Sequence, residues 1–336
     1  MKKRADHDPH HLSGHLHVTG QSKFIGDEVK PVDMLFAKPV PSTYPHAEIL
    51  KIYTIKALAL PGVIAVLTAD DIPGENNTGH FVDVEPLLPK EKVVYVGQPV
   101  ALVVAIDEKT AKAAVKLVEI SYQELTPLLS LDEAIQQKAF YIPERKIERG
   151  DLDQGFKDSD FILEGDISTD AQEHLYFETQ RAWAIPEEDN HMTLYSATQS
   201  TAEVQRTVAK VLDWNANAIT VDVKRLGGAF GGKEVAPGLW TTLAALACFH
   251  TKKPVELKLT RLEDQSWTSK RHPFKGQYKI GFNKAGKIIA YDVALYSNGG
   301  ALCDISIPVL ERAMLFGENS YYIPNIRIRG GACRTN

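Results

Sequence analysis

The sequence predicts an α+β protein with two domains, and three observations support this prediction. The chain has 336 residues, of which 44% are hydrophobic and 24% are charged, so it can form two ordinary globular cores. Strand-like and helix-like segments alternate between residues 21 and 126, as expected of a compact mixed unit. Strand-like segments follow one another after residue 156. We therefore expect a first domain at 1–130, a linker at 131–155 and a second domain at 156–336.

The first domain is predicted from a strand, an interrupted strand pair and a helix. Val63–Leu67 is apolar and β-branched, which is typical of a buried strand. Val93–Ile106 has the same character, but Gly97 and Pro99 interrupt it, so it is predicted to form two strands. Apolar residues recur at helical spacing in Thr110–Ile120, which predicts a helix.

The linker and the second domain differ sharply in composition. Residues 131–155 are rich in charge and include Pro143 and Gly150, as expected of a connecting segment. Beyond them, alternating apolar and β-branched residues predict a series of strands. These strands are Phe161–Asp166, Tyr176–Ile185, His191–Ala197, Ile219–Val223, Val255–Leu259, Tyr278–Phe282, Ile288–Ser297 and Asn325–Arg329.

A predicted helix at Thr201–Leu212 places a polar residue at an edge where ligands often bind. Ser200 precedes this helix, and Glu203 follows three residues later, which predicts a capping box at the helix start. Gln199 then lies at the end of a strand, just before a helix. In α/β arrangements this edge of the sheet is where ligands bind.

Two conspicuous groups of polar residues have a simple interpretation as solvated side chains. The spacing of the N-terminal histidines matches no zinc signature, so a solvated role is favoured over metal binding for them. These histidines are His7, His10, His11, His15 and His17. The short predicted helix Pro308–Phe316 carries Glu311 and Arg312. Taken alone, that pair is most simply an exposed helical charge pair.

The most specific stretch of the sequence is Gly227–Glu234, which contains four glycines followed by a lysine and a glutamate. It lies between the predicted strand Ile219–Val223 and an apolar helical stripe that Pro237 begins. Glycines permit positive φ and let a ligand approach the backbone, and the N–H groups of a helix start favour an anion. The stretch is therefore predicted to be a strand-loop-helix elbow that contacts a ligand.

Two other interpretations of this stretch remain open. Gly227 to Lys233 fits the first part of a phosphate-binding P-loop, but Glu234 stands where a Ser or Thr would ligate Mg²⁺. A carboxylate at that position would repel phosphate, which disfavours a nucleoside triphosphate. The other interpretation is a glycine-rich turn that only packs a helix against a sheet, with Lys233 and Glu234 in solvent.

Composition excludes several classes of partner and compartment. The net charge is −5, so nucleic acid and anionic membranes are not expected partners. No signal peptide is recognised, and prolines and glycines interrupt the apolar runs before they reach the length of a membrane helix. The three cysteines, at 248, 303 and 333, form no Cys-x-x-Cys pair for zinc or an iron–sulfur cluster. We expect a cytoplasmic protein.

Taken together and in order, the motifs resemble the molybdenum-binding subunit of the xanthine dehydrogenase and aldehyde oxidase family. The likeness spans nearly the whole chain. The segments similar to the family's first domain, the α/β hammerhead, are His17–Gly20, Pro61–Val63, Leu67–Pro73 and Tyr95–Ala101. The segments similar to the first half of its molybdopterin-binding region are Glu173–His174, Ala197–Gln199, Gly227–Glu234, Arg271–Pro273, Glu311–Ala313 and Cys333–Asn336.

The resemblance implies a role for each matched residue. Gln199 would lie near molybdenum and hydrogen-bond one of its oxo ligands. The cofactor would contact the loop at Gly228, Phe230 and Gly231. Glu234 and Arg312 would face the substrate, because family members that act on purines have a Glu and an Arg at these two places, whereas members that act on aldehydes generally lack the pair. The catalytic set implied for this chain is therefore Glu234, Arg312 and Gln199.

The implied function is the molybdenum-cofactor-binding portion of a hydroxylase that oxidises hypoxanthine or xanthine with oxygen from water. Iron–sulfur clusters and FAD are expected on partner subunits. The family continues past Asn336 with further pterin contacts and the general base, so we expect a truncated chain that is inactive without a C-terminal half. The alternatives are a non-catalytic assembly module of the complex, or an aldehyde or N-heterocycle oxidoreductase of the same family.

Overall fold

The computed structural model describes residues 11–81 and 85–336 of the chain. Fifteen strands are formed in this part: β1 Leu35–Pro41, β2 Ala47–Tyr53, β3 Val63–Leu67, β4 Lys92–Val93, β5 Pro99–Ala105, β6 Glu119–Glu124, β7 Arg145–Arg149, β8 Phe161–Thr169, β9 Arg181–Pro186, β10 Met192–Ser196, β11 Ile219–Asp222, β12 Val255–Lys258, β13 Phe274–Phe282, β14 Ile288–Asn298 and β15 Asn325–Cys333. Nine helices accompany them: α1 Gly14–Val18, α2 Ile55–Leu58, α3 Glu108–Val115, α4 Leu131–Gln137, α5 Leu152–Lys157, α6 Thr201–Leu212, α7 Pro237–Thr251, α8 Arg261–Trp267 and α9 Ser306–Leu315. The predicted α+β class is confirmed.

A seven-stranded sheet forms the centre of the fold, with the strand order β11-β10-β9-β12-β1-β5-β3. Its strands come from both predicted domains, and β1 pairs in parallel with β12, where Leu35 lies opposite Val255. Helices α6 and α7 cover one face. Because α7 is buried on nearly all sides, it is apolar around its whole circumference rather than along one stripe.

The other face of this sheet is covered by elements from the N-terminal part. Helices α2 and α3 pack there through Ala57 and Ala114, against Val40, Ala101 and Val103 of the central strands. A small three-stranded sheet, with the order β4-β2-β6, is attached beside them. Apolar residues on both faces explain why β5, with every residue buried, has a continuous apolar sequence instead of an alternating one.

A separate five-stranded sheet has the order β7-β15-β14-β13-β8. Helix α9 packs on one of its faces, where Leu310 and Met314 contact the buried Ile326 and Ile328 of β15. The residues predicted as a linker, 131–155, contain α4, β7 and the beginning of α5, and β7 pairs with β15. Charged residues in this segment therefore belong to regular structure, while the position of the domain boundary stays a prediction.

Most predicted elements of the second domain are present, and one local prediction is wrong. Helix α6 has the predicted bounds, Thr201–Leu212. The capping box at its start is not formed, because the Ser200 side chain makes no capping hydrogen bond. Glu203 instead pairs with Arg206 and lies 3.3 Å from the ring of His80. Of the N-terminal histidines, His7 and His10 lie outside the described residues.

Candidate functional site

The glycine-rich stretch Gly227–Glu234 connects β11 to α7, and Pro237 is the first residue of the helix, as the sequence predicts. Phe230 adopts the left-handed conformation with φ of 54°, and its side chain is 75% exposed. Gly231 follows with φ of 92°. A Cβ atom at Gly231 would approach only Oε1 of Glu234, at 4.0 Å, so the backbone here is open to a ligand.

Both ends of this loop are held by one residue, Glu178. Its Oε2 accepts a hydrogen bond from the Gly227 N–H at 3.0 Å, and its carbonyl oxygen accepts one from Nζ of Lys233 at 2.8 Å. The Lys233 ammonium also lies 3.6 Å from Oε2 of Glu178 and 4.5 Å from the ring centre of Tyr176. Lys233 is fully buried, and burial lowers the pKa of its amine.

The burial of Lys233 decides between the interpretations of the loop. A P-loop lysine must reach a bound phosphate, whereas this amine points beneath the loop toward Glu178. The P-loop interpretation is therefore wrong. The interpretation as a simple turn is wrong about Lys233, which it places in solvent. It is right about Glu234, which is exposed.

A buried polar network supports the loop from below. The Tyr176 hydroxyl donates to Oδ1 of Asp264 at 2.7 Å, and the Gln180 N–H donates to Oδ2 of the same residue at 2.6 Å. The Gln180 amide in turn donates to the Gly232 carbonyl oxygen at 3.2 Å. Asp264 is fully buried, so these hydrogen bonds compensate the desolvation of its carboxylate.

Gln199 lies after β10 and before α6, as predicted, and its side chain contacts the loop. Its Oε1 accepts hydrogen bonds from the Gly231 N–H at 3.1 Å and the Lys233 N–H at 3.3 Å. Its backbone N–H donates to the Lys233 carbonyl oxygen at 2.7 Å. Because the loop occupies the carbonyl end of the side-chain amide and Gln199 is exposed, its Nε2 group keeps its N–H donors for a ligand.

A cleft of about 430 Å³ opens beside the loop. Gly231 lines one side of it, and Asp304, Ile305 and Val309 line another. Glu234 is close to Gly231, because its Oε1 atom would lie 4.0 Å from a Cβ atom at that glycine. Arg312 follows Val309 by three residues on α9, so the two lie on the same face of the helix.

The two predicted substrate contacts, Glu234 and Arg312, do not form an ion pair with each other in the described part of the chain. The Arg312 guanidinium lies over the ring of Phe316, 5.1 Å from its centre. Glu311, the residue before Arg312, contacts Arg145 at 3.1 Å. Both charges lie on α9 with solvent-accessible side chains, as the simple interpretation expects, but they do not pair with each other.

Asp304 adds an acidic group to the cleft that the sequence did not reveal. It adopts the left-handed conformation with φ of 45°, and its N–H donates to Oε1 of Glu85 at 3.1 Å. Its own Oδ1 atom is buried without a hydrogen-bond partner among the described residues. Burial, together with the charges of Glu85 and Glu234, raises the pKa of Asp304 to about 7.

The residues missed by the sequence analysis share one property. Glu178, Asp264 and Asp304 are single acids in segments without a motif, and each acquires its role only through contacts distant in sequence. The sequence did mark His174, because it belongs to the segment Glu173–His174 that resembles the family's molybdopterin-binding region. It lines the same cleft, and burial lowers the pKa of its ring.

Two family models match the chain. The first, described as the a/b hammerhead domain of aldehyde oxidase and xanthine dehydrogenase, matches residues 19–126. The second, described as a molybdopterin cofactor-binding domain, matches residues 132–336, which is more than half of the chain. Both matches agree with the domains that the sequence motifs resemble.

The curated relatives include both aldehyde oxidases and xanthine dehydrogenases. The chain is 43% identical over 328 residues to aldehyde oxidase 2 of Cavia porcellus, covering 97% of this chain and 24% of the relative. It is 41% identical over 327 residues to the xanthine dehydrogenase/oxidase of Gallus gallus, with the same coverage of 97% and 24%. The chain thus spans about a quarter of the length of these relatives.

Solved structures share the fold over nearly the whole chain. The aldehyde oxidoreductase of Desulfovibrio gigas matches with a TM-score of 0.89 and 27% identity, covering 96% of this chain and 38% of the other. The CO dehydrogenase of Oligotropha carboxidovorans matches with a TM-score of 0.83 and 26% identity, covering 96% and 44%. The chain belongs to the aldehyde oxidase and xanthine dehydrogenase family, of which it carries the hammerhead domain and a molybdopterin cofactor-binding domain.

Proposed function

We propose that this chain is the N-terminal portion of the molybdenum-binding part of a hydroxylase that oxidises purines such as hypoxanthine and xanthine. One observation carries the proposal. Gly231 and Val309 line one cleft; Glu234 approaches Gly231, Arg312 lies one helical turn after Val309, and the two charged side chains form no ion pair with each other among the described residues. A substrate ring that has both N–H and C=O groups can use both charges, whereas a neutral aldehyde cannot.

The residues around the loop fit a molybdenum cofactor. An oxo ligand needs a hydrogen-bond donor, and the Nε2 group of Gln199 is left available because Oε1 is held by two backbone N–H groups. The exposed backbone at Phe230 and Gly231 lets a bulky group approach, and Gly228 gives the loop a further positive φ of 90°. When bound, the cofactor supplies the two-electron oxidation chemistry, and these residues bind and orient it.

Within this proposal, the charged residues of the chain act on the purine. Glu234 accepts a hydrogen bond from a ring N–H, and Arg312 stabilises negative charge that develops on the ring during the reaction. The charge of Glu234 contributes to the raised pKa of Asp304, so an ionised Asp304 in turn makes the potential at Glu234 more negative. Charges that are fixed in place before the reaction stabilise the transition state most where water is excluded from the site.

The complete enzyme is proposed to need further chains or domains. The chain spans about a quarter of its curated relatives, so a C-terminal half with additional pterin contacts and the general base is expected from elsewhere. Its three cysteines are all buried and separate, so iron–sulfur clusters are assigned to partner subunits, and FAD is proposed to bind there as well. None of the helices in residues 11–81 and 85–336 combines the length and apolarity needed to cross a membrane. We keep the cytoplasm as the proposed compartment.

Two alternatives remain. An aldehyde or N-heterocycle oxidoreductase is favoured by the relatives named aldehyde oxidase, whose identity of 43% is close to the 41% of the xanthine dehydrogenase/oxidase. The other alternative is a non-catalytic assembly module. Steady-state rates of the complete complex with xanthine and with a small aromatic aldehyde distinguish all three: xanthine turnover is expected, aldehyde turnover alone supports the first alternative, and no turnover despite a full set of partners supports the second.

A further inference from the structure

The outer edge of the five-stranded sheet is formed by β8, a nine-residue strand at the end of the strand order. It pairs with β13 on one side through a continuous register, and no described strand pairs with its other side. At about 3.3 Å per residue, this leaves roughly 30 Å of backbone N–H and C=O groups without strand partners.

The side chains of this edge strand are unusually apolar for their exposure. Phe161, Leu163 and Ile167 are 61%, 54% and 63% exposed and alternate along the strand, so they share one face of the sheet. Residues directly opposite on β13 extend this face: Ile280 pairs with Leu163, and Gly276 offers Ile167 no side chain to pack against. Together, Phe161, Leu163 and Ile167 define what we name the β8 face.

The β8 face lies on the side of the sheet that α9 covers farther along. Gly276 pairs with Leu295 on β14, which pairs with Gly330 on β15, and a Cβ at Gly330 would meet Met314 of α9. Helix α9 therefore covers β14 and β15, and no helix in residues 11–81 and 85–336 packs on β8 to a comparable extent. A covering element at this level would continue the existing layer.

The opposite edge of the same sheet shows how an edge is protected when it faces solvent. That edge is β7, with the sequence Arg-Lys-Ile-Glu-Arg, and four of its five residues are charged. Charged residues on an edge strand discourage pairing with another strand. The edge at β8 contains no Lys or Pro and no bulge, and only two of its nine residues, Glu164 and Asp166, are charged, so it is less protected than β7.

We propose that the β8 edge and the β8 face are the docking surface for the C-terminal portion of the molybdenum-binding region, which adds a strand to β8 and covers its apolar residues. This inference rests on the proposed function, in which that portion is supplied from elsewhere. We prefer this occupant to a second copy because the matching Desulfovibrio gigas chain is much longer than the part this chain covers, with 96% of this chain matching 38% of it. The added strand has apolar residues toward the β8 face, and polar or basic ones toward Asp166 on the other face, where Glu164 already pairs with Lys279 of β13.

Cysteine labelling tests this surface, because the three native cysteines are buried and leave an introduced thiol as the reactive one. Leu163→Cys is compared with Lys109→Cys, an exposed position on α3. Each variant is labelled with a maleimide, once as the isolated chain and once in the complex purified from its source through a tag on this chain. Ile167→Cys replaces Leu163→Cys if the latter fails to fold.

The expected result is that the cysteine at 163 reacts about tenfold or more slowly in the complex than in the isolated chain, while the cysteine at 109 reacts equally in both. Equal labelling at 163 in a complex that contains the C-terminal portion overturns the inference. So does recovery of the tagged chain alone, or protection that grows with the concentration of the isolated chain, which indicates a second copy.

Xanthine turnover of the same complex separates this inference from the proposed function. Protection at 163 without xanthine turnover leaves the docking surface intact and contradicts the purine assignment. Xanthine turnover with full labelling at 163 supports the purine assignment and contradicts the docking surface. As a second readout, Leu163→Lys is expected to weaken association of the two portions by about tenfold or more, because it removes a buried apolar contact. Ile64→Lys, an exposed apolar position on β3, is the matched control.

Discussion

The Nζ atom of Lys233 lies 3.6 Å from Oε2 of Glu178, at the buried base of the glycine-rich loop. The same carboxylate oxygen accepts the Gly227 N–H, so one glutamate binds both ends of the loop. Gln199 holds the middle of the loop through the Gly231 N–H. The loop is therefore fixed by the protein alone, and a ligand that binds it need not order it first.

Removing the buried cation is expected to destabilise the fold. Lys233→Met leaves the partly buried Glu178 carboxylate without its cationic partner, which costs on the order of 3–5 kcal/mol when a buried pair is broken. Lys253→Met, at an exposed position, is expected to change stability by less than about 0.5 kcal/mol. The free energy of unfolding in urea measures both. Equal stability of the two variants would show that the Lys233 pair contributes nothing.

Two glycines near the loop are expected to respond oppositely to alanine. A Cβ at Gly232 would lie 2.7 Å from the His174 ring and 2.9 Å from the Tyr176 ring, so Gly232→Ala is expected to destabilise by about 1–3 kcal/mol. At Gly238, inside α7, the nearest atom would be 3.7 Å away, so Gly238→Ala is expected to stabilise by roughly 0.5 kcal/mol. Thermal unfolding measures the stability of both variants. A Gly232→Ala variant that is more stable than the parent chain would contradict the close packing at Gly232.

Asp304 is expected to make stability fall as pH rises. The fold raises its pKa to about 7, whereas an aspartate in an unfolded chain titrates near about 4. Between these two values the folded chain keeps a proton that the unfolded chain has lost, so the contribution is complete below pH 4 and declines toward pH 7.

Asp304→Asn removes this titration while keeping the size of the side chain. The melting temperature of the variant, measured from pH 4 to pH 8, is expected to fall less steeply with pH than that of the parent chain. Asp170→Asn, at an exposed position, should keep the parental slope. Identical slopes for the parent and Asp304→Asn would mean that Asp304 does not carry the shifted proton.

The isolated 336-residue chain is expected to hold little molybdenum and to have no purine hydroxylase activity. The loop and Gln199 contact only one side of the cofactor in the proposed arrangement, and the other contacts belong to the expected C-terminal portion. Metal analysis and a xanthine assay of the purified chain check this. Stoichiometric molybdenum together with xanthine turnover would contradict the need for a further portion.

The sequence pattern predicted those elements whose apolar residues all pack on one side, against the core. Helix α6 has a regular apolar stripe against the central sheet, and its bounds were predicted without error. The sequence predicts a linker at 131–155 from its charged residues, Pro143 and Gly150, and four of the five residues of its strand β7 are charged. Those charges protect a sheet edge, and pairing with β15 is a long-range contact that composition does not reveal.

The candidate site was predictable where a motif marked it and not where single residues act together. The loop and Gln199 were identified from their position between a strand and a helix. The burial of Lys233 was missed, because its partner Glu178 lies 55 residues earlier in the chain. A lysine after glycines is normally exposed, and only the folded structure shows the cavity that holds this one.

The central claim is that Glu234 and Arg312 select a purine, and substrate preference in the complete, cofactor-loaded enzyme tests it most directly. We measure kcat/KM for xanthine and for a small aromatic aldehyde in Glu234→Val and in Arg312→Met. Loss of a charge-assisted contact is expected to lower the xanthine value by roughly a hundredfold or more, while the aldehyde value stays unchanged or rises. Equal losses for both substrates, or no change for either, would contradict the purine assignment.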